Sequence, residues 1–285
     1  MTAKIIDGNA IAGEIRAGLK QRVSTLCARG VTPGLAAILV GDNPASQIYV
    51  DNKIRACGAV GVYYEVHRLG ADCGQEALLD EIARLNADPR IHGILLQLPL
   101  PRHLDANRIL QSIAIAKDVD GFNWHNLGAL VAGHAALAPC TPLGVMMMLD
   151  HAGVNVEGRH AVVVGRSLNV GRPMALMLIT RGATVSVCNS KTRNLAEITS
   201  SADILVVAVG KPGLITASMI KPGAVVIDVG INRLPDGKVV GDVDFAAASR
   251  VASRITPVPG GVGPMTVAML IVNTVTAAER SAAGA

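Results

Sequence analysis

Leu35-Ala36-Ala37-Ile38-Leu39-Val40-Gly41-Asp42-Asn43-Pro44-Ala45-Ser46-Gln47-Ile48-Tyr49-Val50-Asp51-Asn52-Lys53 reads as strand, turn and helix, and that order decides the fold. Leu35 to Val40 is a short, wholly apolar run, the pattern of a strand covered on both faces. Gly41-Asp42-Asn43-Pro44 is a turn, and proline suits the first turn of a helix, where its missing N–H costs nothing. The helix is expected to run to about Gly58. Tyr49 and Lys53 are four residues apart and share a face. A phenol beside an ammonium is a candidate acid/base pair, because partial burial draws a lysine pKa towards neutrality. A packing tyrosine and a solvated lysine fit the same spacing.

Outward from this stretch, Ile11, Ile15, Leu19, Val23 and Leu26 predict an amphipathic helix over 10–29, closed by Gly30. After the Tyr49/Lys53 helix come a strand from Val62 to His67 and a helix over about 75–87, stopped by Asp88-Pro89. The run Gly93-Ile94-Leu95-Leu96-Gln97-Leu98 is a third strand. Strands alternating with helices predict a parallel sheet with right-handed crossovers. Ligands of such sheets bind outside the carboxyl ends of the strands. Gln97 lies at one such end, where its amide has three candidate partners: Lys53, a substrate or the backbone. Residues 102–140 read as irregular apart from a short helix near 105–113. Thr141 is the expected N-cap of a helix with Pro142 in its first turn, and the Met-rich run that follows reads as core.

The pattern restarts at Ala161-Val162-Val163-Val164, which leads into Gly165-Arg166-Ser167-Leu168-Asn169-Val170-Gly171 and another helix. The dinucleotide fingerprint is G-x-G-x-x-G; here Ser167 stands at the second glycine position. A strand before and a helix after favour phosphate at the helix N-terminus, although a ligand-free structural turn has the same letters. The following strand ends in Asn189-Ser190-Lys191-Thr192-Arg193. No acid is present to take ribose hydroxyls, as an NAD site usually provides. Arg166, Ser190, Lys191 and Arg193 instead suit a 2′-phosphate, which points to NADP; a solvated basic loop is the alternative. Asp120, set among Val119, Gly121 and Phe122, is a candidate anchor for a heterocycle offering two adjacent N–H donors. Asp118 is its rival, and an ordinary turn aspartate fits either position.

Composition narrows the classes. The 285 residues are half apolar and contain only two Phe, three Tyr and one Trp, so the core is aliphatic. The net charge of +4 is dispersed, which disfavours nucleic acid and suits a small anionic ligand. Five scattered cysteines without a CxxC pair point to reduced thiols and a cytoplasmic location. The seven histidines form no ligand cluster, so no metal is expected. No apolar run reaches the roughly 18 residues of a membrane span, and the N-terminus lacks the apolar core of a signal peptide.

Taken in order, Val40-Gly41-x-x-x-Ala45-Ser46-x-x-Tyr49-Val50-x-x-Lys53, Gly93-Ile94-Leu95-Leu96-Gln97-Leu98-Pro99-Leu100-Pro101, Lys117-Asp118-Val119-Asp120-Gly121-Phe122, Pro139-Cys140-Thr141-Pro142, the glycine turn and Pro257-Val258-Pro259-Gly260-Gly261-Val262-Gly263-Pro264-Met265-Thr266 resemble the bifunctional methylenetetrahydrofolate dehydrogenase/methenyltetrahydrofolate cyclohydrolase family. The resemblance spans residues 3–280. It implies NADP-dependent oxidation of 5,10-methylenetetrahydrofolate, then hydrolysis to 10-formyltetrahydrofolate, in the one-carbon supply for purine biosynthesis. It implies that Lys53 serves the cyclohydrolase step, that Gln97 is its partner, that Asp120 anchors the pterin and that Tyr49 packs on or orients the folate. Leu98, Pro259, Gly260 and Gly261 would join the folate site. Gly165, Arg166, Ser167, Val170, Gly171, Ser190, Lys191 and Ile231 would hold NADP. The chain departs from the family at Asn123-Trp124, at Ile115-Ala116 and at Asn189.

Two α/β domains with a cleft between them are therefore expected: residues 1–139 plus 265–285 for folate, and 140–264, Rossmann-like, for NADP. The resemblance and the apolar surfaces imply a homodimer. A short-chain dehydrogenase also uses Y-x-x-x-K, but there the glycine turn precedes that pair, the reverse of the order here. A non-catalytic dinucleotide-binding module would not need Lys53, Gln97 and Asp120 together.

Overall fold

A computed structural model describes residues 2–283, with the side chains of residues 44–46, 48 and 49 outside that description. In chain order, the first half runs β1 (Lys4–Ile5), α1 (Gly8–Ala28), β2 (Gly34–Val40), α2 (Pro44–Gly58), β3 (Tyr63–Leu69), α3 (Gln75–Ala87), β4 (Gly93–Leu96), α4 (Ala106–Ser112), α5 (Trp124–Val131) and α6 (Cys140–His151). The second half runs β5 (His160–Val164), α7 (Gly171–Thr180), β6 (Thr184–Cys188), α8 (Leu195–Thr199), β7 (Ile204–Val207), β8 (Val225–Asp228), β9 (Asn232–Arg233), β10 (Val239–Val240), α9 (Phe245–Ala248), β11 (Arg254–Ile255) and α10 (Val262–Ala283).

The chain divides into two compact units. One holds Glu14–Cys140 and the chain from Val267 onward. Its sheet has the order β3-β2-β4, all parallel. Every residue of β2 is buried, which is why this strand reads as an unbroken apolar run. Ala36, Ile38 and Val40 face Leu78, Ile82 and Leu85 of α3 and Ile109 of α4. Gly93 of β4 permits a close approach: a Cβ there would lie 2.6 Å from the Val119 side chain and 3.1 Å from the Thr274 hydroxyl of α10. By length and composition alone α10 could cross a bilayer, but most of it is buried in the protein, as befits a core helix.

The other unit holds the residues up to Gly13 and Thr141–Thr266. Its six-stranded sheet has the order β1-β11-β8-β7-β5-β6, again parallel. The chain goes from β5 outward to β6 and then back to β7 on β5's other side, so the strand order reverses at β5. Such a switch point leaves a crevice beyond the carboxyl ends of the strands.

Three expectations from the sequence differ from the structure. The first residues were expected in the folate domain, but they group with the 141–266 unit because β1 pairs with β11, Lys4 opposite Arg254. A two-residue strand carries too little pattern to be read locally. Residues 102–140 contain α5 in addition to α4; the Asn123 side chain caps α5 by accepting from His125 N–H at 2.9 Å. Thr141 does not cap α6, which begins at Cys140. Its hydroxyl instead hydrogen-bonds that of Thr266 at 2.9 Å.

Candidate active site

Parallel pairing places the first cluster. Gln97 N–H donates to the Ile38 carbonyl at 2.9 Å, continuing the β4–β2 pairing beyond the end of β4. The Gln97 side chain then stands where the chain leaves β2 for α2. Its Nε2 donates to the Leu98 carbonyl at 2.7 Å. That bond fixes which way the amide faces, and Oε1 accepts from Lys53 Nζ at 3.1 Å. Of the three partners left open for Gln97, the structure uses both Lys53 and a backbone carbonyl. The Tyr49 backbone lies in α2, but its side chain falls outside the described residues.

Asp118 and Asp120 have different surroundings. Asp118 is buried, and its carboxylate accepts from Phe122 N–H at 3.2 Å, Asn123 N–H at 2.7 Å and Asn126 Nδ2 at 2.8 Å. It holds the loop together, and this spends its acceptors. Asp120 is half-buried and has no hydrogen-bond partner among the described residues. Burial pushes its carboxyl up to about 6; the Lys53 charge opposes that rise and Asp118 adds to it. Lys53, Gln97 and Asp120 therefore gather in one unit as a lysine, the amide that orients it and an unpaired carboxylate.

Two buried thiols, Cys57 and Cys140, adjoin this cluster. Burial pushes Cys57 up to about 12, against the Lys53 charge. Cys140 is raised well above the ordinary value by burial and by the Asp120 charge. A thiol held protonated is a poor nucleophile, which leaves the lysine and the carboxylate as the candidate reactive groups.

The second cluster surrounds the glycine turn after β5. Gly165 has φ +129°, and a Cβ there would collide with the Ala208 carbonyl. A Cβ on Gly171 would collide with the Gly165 carbonyl. Both glycines are demanded by close backbone packing. Ser167 Oγ accepts from Val170 N–H at 3.2 Å and Gly171 N–H at 3.3 Å, which accounts for serine at the second glycine position: it caps the start of α7. Arg166, Ser190 and Lys191 are exposed, and their own side chains make no hydrogen bond among the described residues. The turn after β6 is set by Asn189, whose Oδ1 accepts from Lys191 N–H at 2.9 Å. Ile231 is 48% exposed and packs towards Gly263. Pro259, Gly260 and Gly261 belong to this same unit and lie against the start of α1, where Asn9 N–H donates to the Gly260 carbonyl at 3.2 Å.

Sequence reasoning missed Asp228 and Asp242. Asp242 is fully buried and accepts from the N–H groups of Val209, Gly210 and Lys211 and from Asn232 Nδ2, all within 2.9 Å. It shapes the loop that leaves β7, on the dinucleotide side of the sheet. Asp228 accepts from Gly230, Asp242 and Val243 N–H, and burial pushes it up to about 6. The available signal was Gly241-Asp242-Val243, an acid between small and apolar residues.

Comparison with known proteins shows the family and the fold. A family model described as tetrahydrofolate dehydrogenase/cyclohydrolase, catalytic domain, matches residues 6–120, and its NAD(P)-binding domain matches residues 139–282. Over 281 residues the chain is 59% identical to the bifunctional protein FolD of Nitrosospira multiformis, covering 99% of this chain and 98% of that one. Among solved structures, FolD methylenetetrahydrofolate dehydrogenase/cyclohydrolase from Campylobacter jejuni superposes with a TM-score of 0.97 at 50% identity, covering 98% of this chain and 99% of that one. The Trypanosoma brucei enzyme complexed with NADP cofactor and inhibitor gives 0.95 at 41% identity, with 99% of each chain covered.

Asp120 carries a pH signature. Its folded pKa of about 6 lies above the ordinary 3.8, so the native state holds the extra proton between these values. Its stabilising contribution is present below the ordinary pKa and is lost as pH rises through about 6. Relative to the parent, Asp120→Asn should therefore gain in thermal midpoint between pH 4 and pH 8. Parallel melting profiles across that range would show that the carboxylate is not strained by burial.

Proposed function

The chain belongs to the tetrahydrofolate dehydrogenase/cyclohydrolase family, and on that premise we propose which of its residues carry each of the two reactions. It oxidises 5,10-methylenetetrahydrofolate with NADP and hydrolyses the resulting 5,10-methenyltetrahydrofolate to 10-formyltetrahydrofolate. The observation that carries the assignment is Lys53 Nζ held at 3.1 Å by Gln97 Oε1, with the Lys53 charge acting on an Asp120 carboxylate that has no hydrogen-bond partner among the described residues.

Asp120 is the pterin anchor. Its oxygens are unspent, whereas those of Asp118 are committed to the loop. A half-buried carboxylate that costs free energy when charged is relieved by a ring presenting two adjacent N–H donors. Tyr49 and Leu98 flank the ring in this reading.

The dinucleotide fits the second cluster. Gly165 and Gly171 let backbone approach where a side chain would collide, and the crevice at the β5 switch point lies beside them. Exposed Arg166, Ser190 and Lys191 would take the 2′-phosphate, and Ile231 the apolar side of the cofactor. Bound NADP supplies the hydride acceptor. The protein's part in that step is orientation, since hydride leaves the methylene carbon without a protein base.

Hydrolysis needs proton transfer. Water adds to the methenyl carbon and loses a proton; the resulting hydroxyl then gives up its own proton to become the formyl carbonyl as the bond from that carbon to N5 breaks and N5 gains a proton. Lys53 is the group placed to move these protons, and Gln97 keeps its nitrogen aimed. We also infer a homodimer. The strand β6 lies at an edge of its sheet, with Val187 43% exposed and Ile179 of neighbouring α7 54% exposed.

Replacing Lys53 with Met should abolish methenyl hydrolysis while NADP reduction continues; a near-parental rate of loss of methenyl absorbance would remove Lys53 from its role. Arg166→Ala should weaken NADP by roughly tenfold and leave NAD unchanged, the worth of one charge-assisted phosphate contact. Equal weakening of both cofactors in fluorescence titrations would place the 2′-phosphate elsewhere. Sedimentation equilibrium of the full chain should return twice the monomer mass of 29.4 kDa; a single-chain mass at micromolar concentration would refute the dimer.

A further inference from the structure

The 14–140 unit contains a cavity that neither cluster uses. Its volume is about 560 Å³, within the range of sites that enclose small organic ligands. Lys53, Gln97 and Asp120 do not line it. Its walls include Ile91, Ile115, Ala129, Leu137 and Ala277, and most of its lining surface is apolar. The formally charged side chains among them, Lys117 and Arg280, have one sign, and no Asp or Glu lines the cavity.

Lys117 is the central group. Its Nζ donates to the Leu85 carbonyl at 3.1 Å and the Asp88 carbonyl at 2.7 Å, so one of the three ammonium donors is left over. The nearby Asp88 carboxylate, which Arg90 holds at 2.6 and 3.1 Å, supports the Lys117 charge only in part: burial still outweighs it. Burial draws the Lys117 pKa below its ordinary value, as expected for a cation with incomplete compensation. Arg280, which also lines the cavity, is exposed and free of any ion pair among the described residues. An apolar chamber with cations and no acid selects a ligand that is apolar along its length and anionic at one end.

We propose that this cavity is a second ligand site, which binds small amphipathic carboxylates. The carboxylate meets Lys117 and Arg280, and the hydrocarbon lies along Ile91, Ile115 and Leu137. Inorganic phosphate would satisfy the cations but leave the apolar wall wet, and a neutral alcohol would fill the wall but leave Lys117 unpaired.

The chain supplies its own reporter. Trp124 is the sole tryptophan and adjoins His125 at the cavity. Titrating the intact protein with octanoate should give a saturable change in Trp124 fluorescence, confirmed as one site by calorimetry. 1-Octanol and inorganic phosphate should each bind about tenfold or more weakly, the worth of the one missing interaction. Arg280→Glu should weaken octanoate by roughly tenfold, with an unchanged circular dichroism spectrum because the residue is exposed. Lys117→Met should do the same or more, and the Arg280 variant keeps the test valid if loss of the Leu85 and Asp88 contacts unfolds it. Equal binding of octanol and octanoate, equal binding of phosphate, or octanoate affinity unmoved by Arg280→Glu would each overturn the site.

Discussion

One hydrogen bond, from Gln97 N–H to the Ile38 carbonyl, sets the geometry on which the first site depends. It belongs to a parallel pairing in which β2 lies between β3 and β4. Parallel strands bring their carboxyl ends to one edge, so the chain leaving β2 for α2 and the chain leaving β4 emerge side by side. Lys53 and Gln97, 44 residues apart in sequence, meet there at 3.1 Å. Burial of the whole of β2 specifies the register: a slip would move Gln97 off the end of its strand and carry apolar side chains out of their contacts.

The carboxylates divide their work by satisfaction. Asp118, Asp228 and Asp242 are buried and surrounded by N–H donors. They are structural in the strict sense that their acceptors are consumed by loops. Asp120, two residues from Asp118, is raised by burial and has no such donors among the described residues. A half-buried carboxylate without donors costs free energy, and since the fully buried acids Asp118, Asp228 and Asp242 are all hydrogen-bonded, that cost marks where a ligand is expected. Similar logic singles out Lys117, a partly buried cation that spends only two of its three donors on carbonyls.

Much of this was legible locally. The alternation of short apolar runs with amphipathic helices determined a parallel α/β chain in two halves, because strand burial and helix periodicity are written in adjacent residues. The turn before Lys53 and the glycines after β5 were legible for a similar reason: proline and glycine restrict or free the backbone wherever they stand. Gly165 and Gly171 both prove to be places where a Cβ would strike a carbonyl. Ordered motifs also led to the family, to NADP and to the pair of reactions.

Tertiary structure decided what depends on distant partners. It assigned β1 to the 141–266 unit, since a two-residue strand has no pattern of its own and is defined by β11. It gave the Thr141 hydroxyl to Thr266 in place of a cap. It separated Asp120 from Asp118, which sequence left as rivals because both sit in one Lys117–Phe122 motif and differ only in which donors surround them. It also revealed Asp242, whose donors come from residues 209–211 and 232. By itself the sequence determined the main alternation of strands and helices and the chemical groups at their ends, because these follow from neighbours along the chain. Which of those groups are spent on the fold, and which remain free for a ligand, was decided only when remote N–H and C=O groups came within hydrogen-bond reach.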